Sequence, residues 1–230
     1  PLSAPDEATR AVGLAGLVQS VQDAHAYGAT SVLLVPGVAR NGVSYEQCFE
    51  RSVAEIKKVL PLAQELGVKI AIENHAGDLH SWELVQLIES AGQDYVGANL
   101  DSGNAAWTLE DPMDVLENLG RYTVCSSLRD EQIWATPEGA AVQWTAAGEG
   151  LIDWKAYAAR WAQLCPAVPI IIETISGSQR TFPYKHADFW QYYDKRPAAL
   201  AKFEALAQRG KPLTAWKAPA GPEGKVATQE

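Results

Sequence analysis

The chain has 230 residues, 47% of them hydrophobic, and carries a formal net charge of −9 with a pI near 5.0. That size and apolar content fill one complete core, so a single α/β barrel or one doubly wound sheet is the expected scale. The acidic balance excludes the basic footprint that nucleic acid or an anionic membrane surface requires, and no apolar run approaches the roughly 20 residues that span a bilayer.

Residues 6–28 place Val12, Leu14, Leu17, Val18, Val21 and Ala24 at spacings of three and four, which predicts a helix stopped by Tyr27-Gly28. Ser31-Val32-Leu33-Leu34-Val35 reads as a buried strand ended by Pro36-Gly37. A second helix is expected from Ser44 to Leu66, with Tyr45, Phe49, Val53, Ile56, Val59 and Leu60 inward and Gly67 as its stop. The strand Val68–Glu73 follows at once. A helix over Ser81–Ala91 leads into the strand Val96–Asp101, and Pro112–Leu119 makes a short helix. Tyr122–Leu128 reads as a strand, Trp154–Leu164 as a helix and Pro169–Glu173 as the last strand. From Lys211 the chain is rich in Pro, Gly, Ala and Lys without periodicity, so residues 1–210 are expected to form the domain and 211–230 an extended arm or disordered tail.

Five near-continuous apolar strands, each followed by a helix or a helix-length segment, imply a parallel sheet covered on both faces. Their spacing suits an open doubly wound sheet and a (β/α) TIM barrel equally. Five is too few for a closed eight-strand barrel. On the barrel reading about three strands are missing upstream, which agrees with a sequence that opens on Pro1 without a methionine. Three cysteines, Cys48, Cys125 and Cys165, stand far apart without a CxxC pair. They fit neither a disulfide framework nor a structural zinc site, and the expected location is cytoplasmic, with a targeting segment before Pro1 left open.

The chemistry concentrates at strand ends. Ile70-Ala71-Ile72-Glu73, Gly97-Ala98-Asn99-Leu100-Asp101 and Ile170-Ile171-Ile172-Glu173 each close an apolar run on a carboxylate. In parallel α/β folds the C-terminal strand ends share one face, so the three acids are expected to converge there. Three like charges at the mouth of an apolar core repel one another unless protons or a cation neutralise them, and a divalent metal does so directly. Taken singly, each acid also suits a helix N-cap or a pair with a nearby Lys or Arg.

The ordered set Glu73-Asn74-His75, Leu100-Asp101-Ser102-Gly103-Asn104, Leu128-Arg129-Asp130, Gly148-Glu149-Gly150 with Asp153-Trp154, and Ile172-Glu173 resembles the sugar phosphate isomerase/epimerase branch of the xylose isomerase-like TIM barrels. The resemblance covers residues 30–190 and implies that the last five strands of such a barrel are present. It implies one divalent metal held by Glu73, Asp101 and Glu173, with Glu73 and Glu173 also moving protons. The family's fourth ligand is a histidine three residues before the Asp of a His-x-Lys/Arg-Asp motif, and Ser127 stands in that place. An alcohol is a poor ligand for a transition metal, which shifts the expectation to Mn²⁺ or Mg²⁺. His75, two residues beyond Glu73 and on the same side of a continued strand, is a candidate replacement or a substrate contact.

The implied reaction is isomerisation or epimerisation of a keto sugar or sugar derivative through a cis-enediolate. Loss of a β-substituent from the same enolate would give a dehydratase or lyase on an oxidised sugar. Asn104, Arg129 and Trp107 are candidate substrate contacts; Trp107, Trp134 and Trp144 follow strands, where rings pack on the apolar face of a sugar or within long loops. Arg129 and Asp130 position substrate oxygens or pair with charges, and Arg180 and Lys185 are further candidates for a polyhydroxy ligand. Four histidines are too few for a three-zinc AP endonuclease on the same fold. The competing class is a non-catalytic sugar-binding barrel, suggested by Ser127. A carbohydrate ligand and a homo-oligomer are the expected partners, with the helix around Phe189–Tyr193 and the C-terminal arm as contact candidates.

Overall fold

The computed structural model describes residues 1–37, 43–75, 79–173, 179–192 and 199–215. Its first half alternates helix and strand: α1 (Glu7–Tyr27), β1 (Ser31–Leu34), α2 (Tyr45–Leu66), β2 (Lys69–Glu73), α3 (Ser81–Ala91), β3 (Val96–Leu100), α4 (Pro112–Leu119) and β4 (Thr123–Ser126). The ends have local causes. Asp6 accepts from the Thr9 amide at 2.7 Å to open α1, and a Ser44/Gln47 capping box opens α2. Asp111 caps α4, with Pro112 in its first turn.

The four strands pair in parallel in the order β1-β2-β3-β4. β1 also approaches β4, so the sheet curls. Side-chain alternation divides the strands into two faces. Val32, Ile70, Ile72, Val96, Ala98, Leu100 and Leu128 join Leu17, Val21, Ile56, Val59, Leu87, Ile88 and Leu116 in the core between sheet and helices. Each fully buried aliphatic chain contributes about 1.5–3 kcal/mol by leaving water. The opposite face carries Ala71, Glu73, Gly97, Asn99 and, just past the strand ends, Asp101, Ser127 and Arg129. The apolar face pins the register, and the register presents the polar face.

Several expectations need correction. Val12 is 75% exposed on the outside of α1, so the inward stripe there is Leu17, Val21 and Ala24. The segment Pro169–Glu173 is no full strand: it makes one parallel bridge, Leu128 to Ile172. Leu128 donates to the Ile171 carbonyl at 2.7 Å and accepts from the Glu173 amide at 2.9 Å. One rung earlier the Ser126 hydroxyl replaces the backbone, accepting from the Ile171 amide and donating to the Pro169 carbonyl. This segment and β1 lie at the two edges of the sheet, and Leu33 and Ile170–Ile172 there are about half exposed.

Residues 129–152, for which the sequence pattern predicts no element, contain a hairpin. β5 (Asp130–Thr136) and β6 (Gly139–Thr145) pair antiparallel across the Pro137-Glu138 turn, and β7 (Gln179–Phe182) joins β6. Both faces are covered, so polar Glu131, Gln132 and Gln143 interrupt the apolar alternation that marks a half-exposed strand. α5 (Trp154–Leu164) packs on α4, while α6 (Leu200–Arg209) packs on β5, where Phe203 and Leu206 join Ile133, Val142 and Phe182 in a second core. Lys185 donates to the Thr136 and Pro137 carbonyls at the hairpin turn, and Arg180 is exposed on β7. A short 3₁₀ turn spans Ala187–Tyr192; Tyr193 and residues 216–230 of the expected arm lie outside the described residues. Among the described residues no helix is long and apolar enough to cross a membrane.

Candidate metal centre

Glu73 is the last residue of β2, Asp101 follows β3, and Glu173 donates its amide to the Leu128 bridge, so the three chain ends deliver their carboxylates to one point. One side-chain oxygen from each lies within 4.8 Å of the other two. Asp101 is completely buried, and the Glu73 and Glu173 side chains are more open, Glu173 reaching 22% exposure.

Asn74 holds the ends of β2 and β3 together. Its Nδ2 donates to the Asp101 carbonyl at 2.7 Å and its Oδ1 accepts from the Asp101 amide at 2.8 Å. A side-chain amide thereby supplies the next rung of the ladder and fixes Asp101 relative to Glu73. The Asp101 Oδ1 accepts from the Gly103 amide at 2.8 Å and opens the 3₁₀ helix Ser102–Thr108.

Arg129 enters the cluster from the strand end beyond β4. Its Nη2 lies 2.8 Å from Asp101 Oδ2 and its Nη1 3.3 Å from Glu173 Oε1. Nη2 also donates to Asn104 Oδ1 at 2.6 Å, and Asn104 Nδ2 reaches Glu73 Oε1 at 3.5 Å. The guanidinium carbon sits 5.3 Å from the Trp144 ring centroid, a cation–π distance. Trp144 is anchored by its Nε1, which donates to the Gly103 carbonyl at 2.7 Å, and it stacks on Trp107 with centroids 5.2 Å apart. A Cβ on Gly103 would lie 2.7 Å from Arg129 Cγ and 2.8 Å from Trp144 Cδ1, so only glycine fits beneath them.

Burial, then the neighbouring Glu173 charge, pushes the Glu73 carboxyl up to about 7, with Arg129 pulling the other way. Burial also raises Asp101, against the same guanidinium. Partial burial and Arg129 lower the His75 imidazole. His75 is outside the group of His, Cys, Asp and Glu side chains that can share one ion, which among the described residues is Glu73, Asp101 and Glu173. The Ser127 hydroxyl accepts from Asn99 Nδ2 at 3.1 Å on the same sheet face.

Asp130 does different work from its neighbour Arg129. Its carboxylate accepts from the amides of Glu131, Gly148, Gly150 and Ile152 and from Trp154 Nε1, all between 2.8 and 3.2 Å. The Gly148-Glu149-Gly150 turn is folded around this carboxylate; a Cβ on Gly150 would lie 2.1 Å from Asp130 Oδ1. Asn74, Asp130 and Trp144 thus have defined structural roles that the sequence did not reveal. The available signals were an amide directly after a strand-end Glu and a Gly-x-Gly turn in reach of an Asp.

A curled parallel sheet with helices on its outer face and carboxylates at its C-terminal end defines a (β/α) barrel protein. The chain belongs to the xylose isomerase-like TIM barrel family, whose model matches residues 1–187. No curated protein sequence matches it significantly. Among solved structures it is similar to a xylose isomerase domain protein from Planctomyces limnophilus, at a TM-score of 0.60 and 22% identity over 72% of this chain and 59% of that one. A D-psicose 3-epimerase determined in the presence of D-fructose matches at 0.60 and 17% identity, covering 90% of this chain and 70% of that one. A xylose isomerase-like TIM barrel protein from Mycobacterium smegmatis in complex with magnesium matches at 0.60 and 16% identity, covering 89% and 71%. At these identities the likeness is one of fold. The chain spans 59% of the length of the Planctomyces protein.

Proposed function

We propose that this chain is a metal-dependent isomerase or epimerase of a keto sugar or sugar derivative, with Glu73 and Glu173 as its acid/base pair. The observation that carries this is the convergence of Glu73, Asp101 and Glu173 within 4.8 Å. The donor set fits a divalent cation, since among the described residues three carboxylates against the guanidinium of Arg129 leave a formal excess of two negative charges. Its oxygen-only character favours Mg²⁺ or Mn²⁺, and one neighbour in fold is in complex with magnesium. Such an ion supplies Lewis acidity toward a carbonyl and its adjacent hydroxyl.

The protein's part is proton transfer and orientation. Asp101, fully buried, suits a ligand alone, whereas the more open Glu73 and Glu173 can also reach a carbon-bound proton. One glutamate removes the proton next to the carbonyl, leaving an enediolate, and the other returns it. Return to the opposite face is epimerisation and return to the neighbouring carbon is isomerisation. Asn104 and Arg129, bonded to each other at the triad, orient substrate oxygens, and the Trp107–Trp144 stack is the apolar wall beside them. His75 and Ser127 flank the centre as further contacts.

The structural neighbour acting as a D-psicose 3-epimerase supports a carbohydrate substrate. The free cysteines among the described residues suit a cytoplasmic setting, and the half-exposed Leu33 and Ile170–Ile172 suit a self-associating chain, which light scattering would reveal. The runner-up is a sugar-binding barrel, favoured by Ser127 at the expected histidine position. Titration of Mn²⁺ and Mg²⁺ by calorimetry, on wild type and Glu173→Gln, decides first. Binding that weakens at least about tenfold in the variant supports the centre, and keto sugars are then screened for exchange of a carbon-bound proton with deuterated water. No binding by wild type removes the reading in favour of the sugar-binding barrel.

A further inference from the structure

We propose that Arg129 is a resident counter-cation that a divalent ion must displace from Asp101 and Glu173, so that filling the centre is an exchange of one cation for another. The inference rests on the metal reading above and concerns what this chain's own side chains do to admit the ion.

Asp101 is completely buried, and both its oxygens are engaged. Oδ1 accepts from the Gly103 amide at 2.8 Å, and Oδ2 is paired with Arg129 Nη2 at 2.8 Å. A hard cation needs a carboxylate oxygen at about 2.0–2.2 Å. Freeing Oδ1 would unwind the start of the 3₁₀ helix Ser102–Thr108, because the amide there is backbone. Freeing Oδ2 requires only that a side chain move. The same side chain holds Glu173 Oε1 through Nη1 at 3.3 Å. One displacement therefore opens two of the three ligands.

The guanidinium keeps its supports when it leaves those oxygens. It lies over the Trp144 ring and is bonded to Asn104 Oδ1, and neither contact involves the carboxylates. A planar fork bridges two carboxylates in a way that a single ammonium cannot. Without it the three acids face one another with no neutralising charge among the described residues, so the same residue that competes with the ion also supports the fold of the metal-free centre.

The test is calorimetric titration of Mn²⁺ and Mg²⁺ into the full chain, wild type, Arg129→Gln and Arg129→Lys, with thermal unfolding in the presence and absence of Mn²⁺. Arg129→Gln is expected to bind Mn²⁺ at least about tenfold more tightly, because it removes both the competing contacts and a like charge. Its metal-free melting temperature should fall, and its rise on adding Mn²⁺ should exceed that of wild type. Arg129→Lys, which keeps the charge and loses the fork, should lie between, and it carries the test if the glutamine variant does not fold. Unchanged or weaker Mn²⁺ affinity in both variants overturns the exchange. If wild type binds the ion and Glu173→Gln weakens it while the Arg129 variants change nothing, the metal centre stands and the exchange alone is wrong. If no form binds, both readings fail together.

Discussion

Glu131 is a fully buried carboxyl whose two oxygens have no hydrogen-bond partner among the described residues, and replacing it should stabilise the protein. It lies on β5 beside a cavity of about 170 Å³ whose lining includes Ile133, Leu151, Ile152, Tyr157 and Leu206. A buried polar group without a partner costs about 1–3 kcal/mol. Glu131→Met removes that cost, is close to isosteric, and adds apolar contact worth one further methylene, about 0.8 kcal/mol. The expected gain at neutral pH is therefore about 2–4 kcal/mol. Burial, followed by the charges of Asp101 and Asp130, pushes the Glu131 carboxyl well above its ordinary 4.5. The folded protein thus binds this proton more tightly than the unfolded chain. Its contribution to stability is greatest below pH 4.5 and is lost as pH rises toward the raised folded value. Glu131→Gln keeps an unpartnered polar group but cannot ionise, so its advantage over wild type should grow with pH across that window and then level off. Urea unfolding of wild type, Glu131→Gln and Glu131→Met between about pH 4.5 and 8 measures both effects. A methionine variant less stable than wild type at pH 7, or a glutamine advantage independent of pH, would refute the reasoning.

Three further outcomes follow from the same contacts. Asp130→Ala strands the Glu131, Gly148, Gly150 and Ile152 amides and the Trp154 indole; water can reach the partly buried ones, so the loss should be about 3 kcal/mol in urea unfolding. Asn74→Ala removes both bonds that fix Asp101 to the end of β2, and should cost about 2–4 kcal/mol in the same assay while weakening Mn²⁺ binding. Ser127→His restores an imidazole on the sheet face of the centre, and calorimetry should show Zn²⁺ and Mn²⁺ gaining about tenfold or more relative to Mg²⁺.

Helices were the most legible part of the sequence. Ser81–Ala91, Pro112–Leu119 and Trp154–Leu164 form over the residues their periodicity and caps mark. The strands β2 and β3 were legible because an apolar run buried on both faces ends abruptly at a charge, Glu73 or Asp101. The β5–β6 hairpin was not, because its cross-strand pairs place Glu131 opposite Trp144 and Gln132 opposite Gln143, and a strand covered on both sides by mixed polar and apolar neighbours has no period to read. The last strand was overestimated for a related reason: Ile170-Ile171-Ile172 has strong strand character, but an edge with one partner holds only the bridge at Ile172. At the site, the meeting of Glu73, Asp101 and Glu173 follows from parallel topology alone. What Arg129, Asn74 and Trp144 do there depends on contacts between segments 25 to 41 residues apart, which spacing along the chain does not encode.

The stretch from Ser127 to Glu131 shows how one extended strand exit serves two purposes. Successive side chains on extended backbone point to opposite sides. Leu128 belongs to the core between sheet and helices, so Ser127 and Arg129 must face the other way, toward the carboxylates. Asp130 then points away from Arg129, and its partners are the amides of the Gly148–Ile152 segment instead of the guanidinium next to it in sequence. Had the pair formed an ion pair with each other, neither task would be met: the triad would lose its counter-charge and the turn would lose its organiser. Glu131 returns to the side of Arg129, where among the described residues it reaches no donor and the Asp101 charge acts on it. The misfit at Glu131 is thus the cost of continuing into β5 the alternation that places Arg129 correctly.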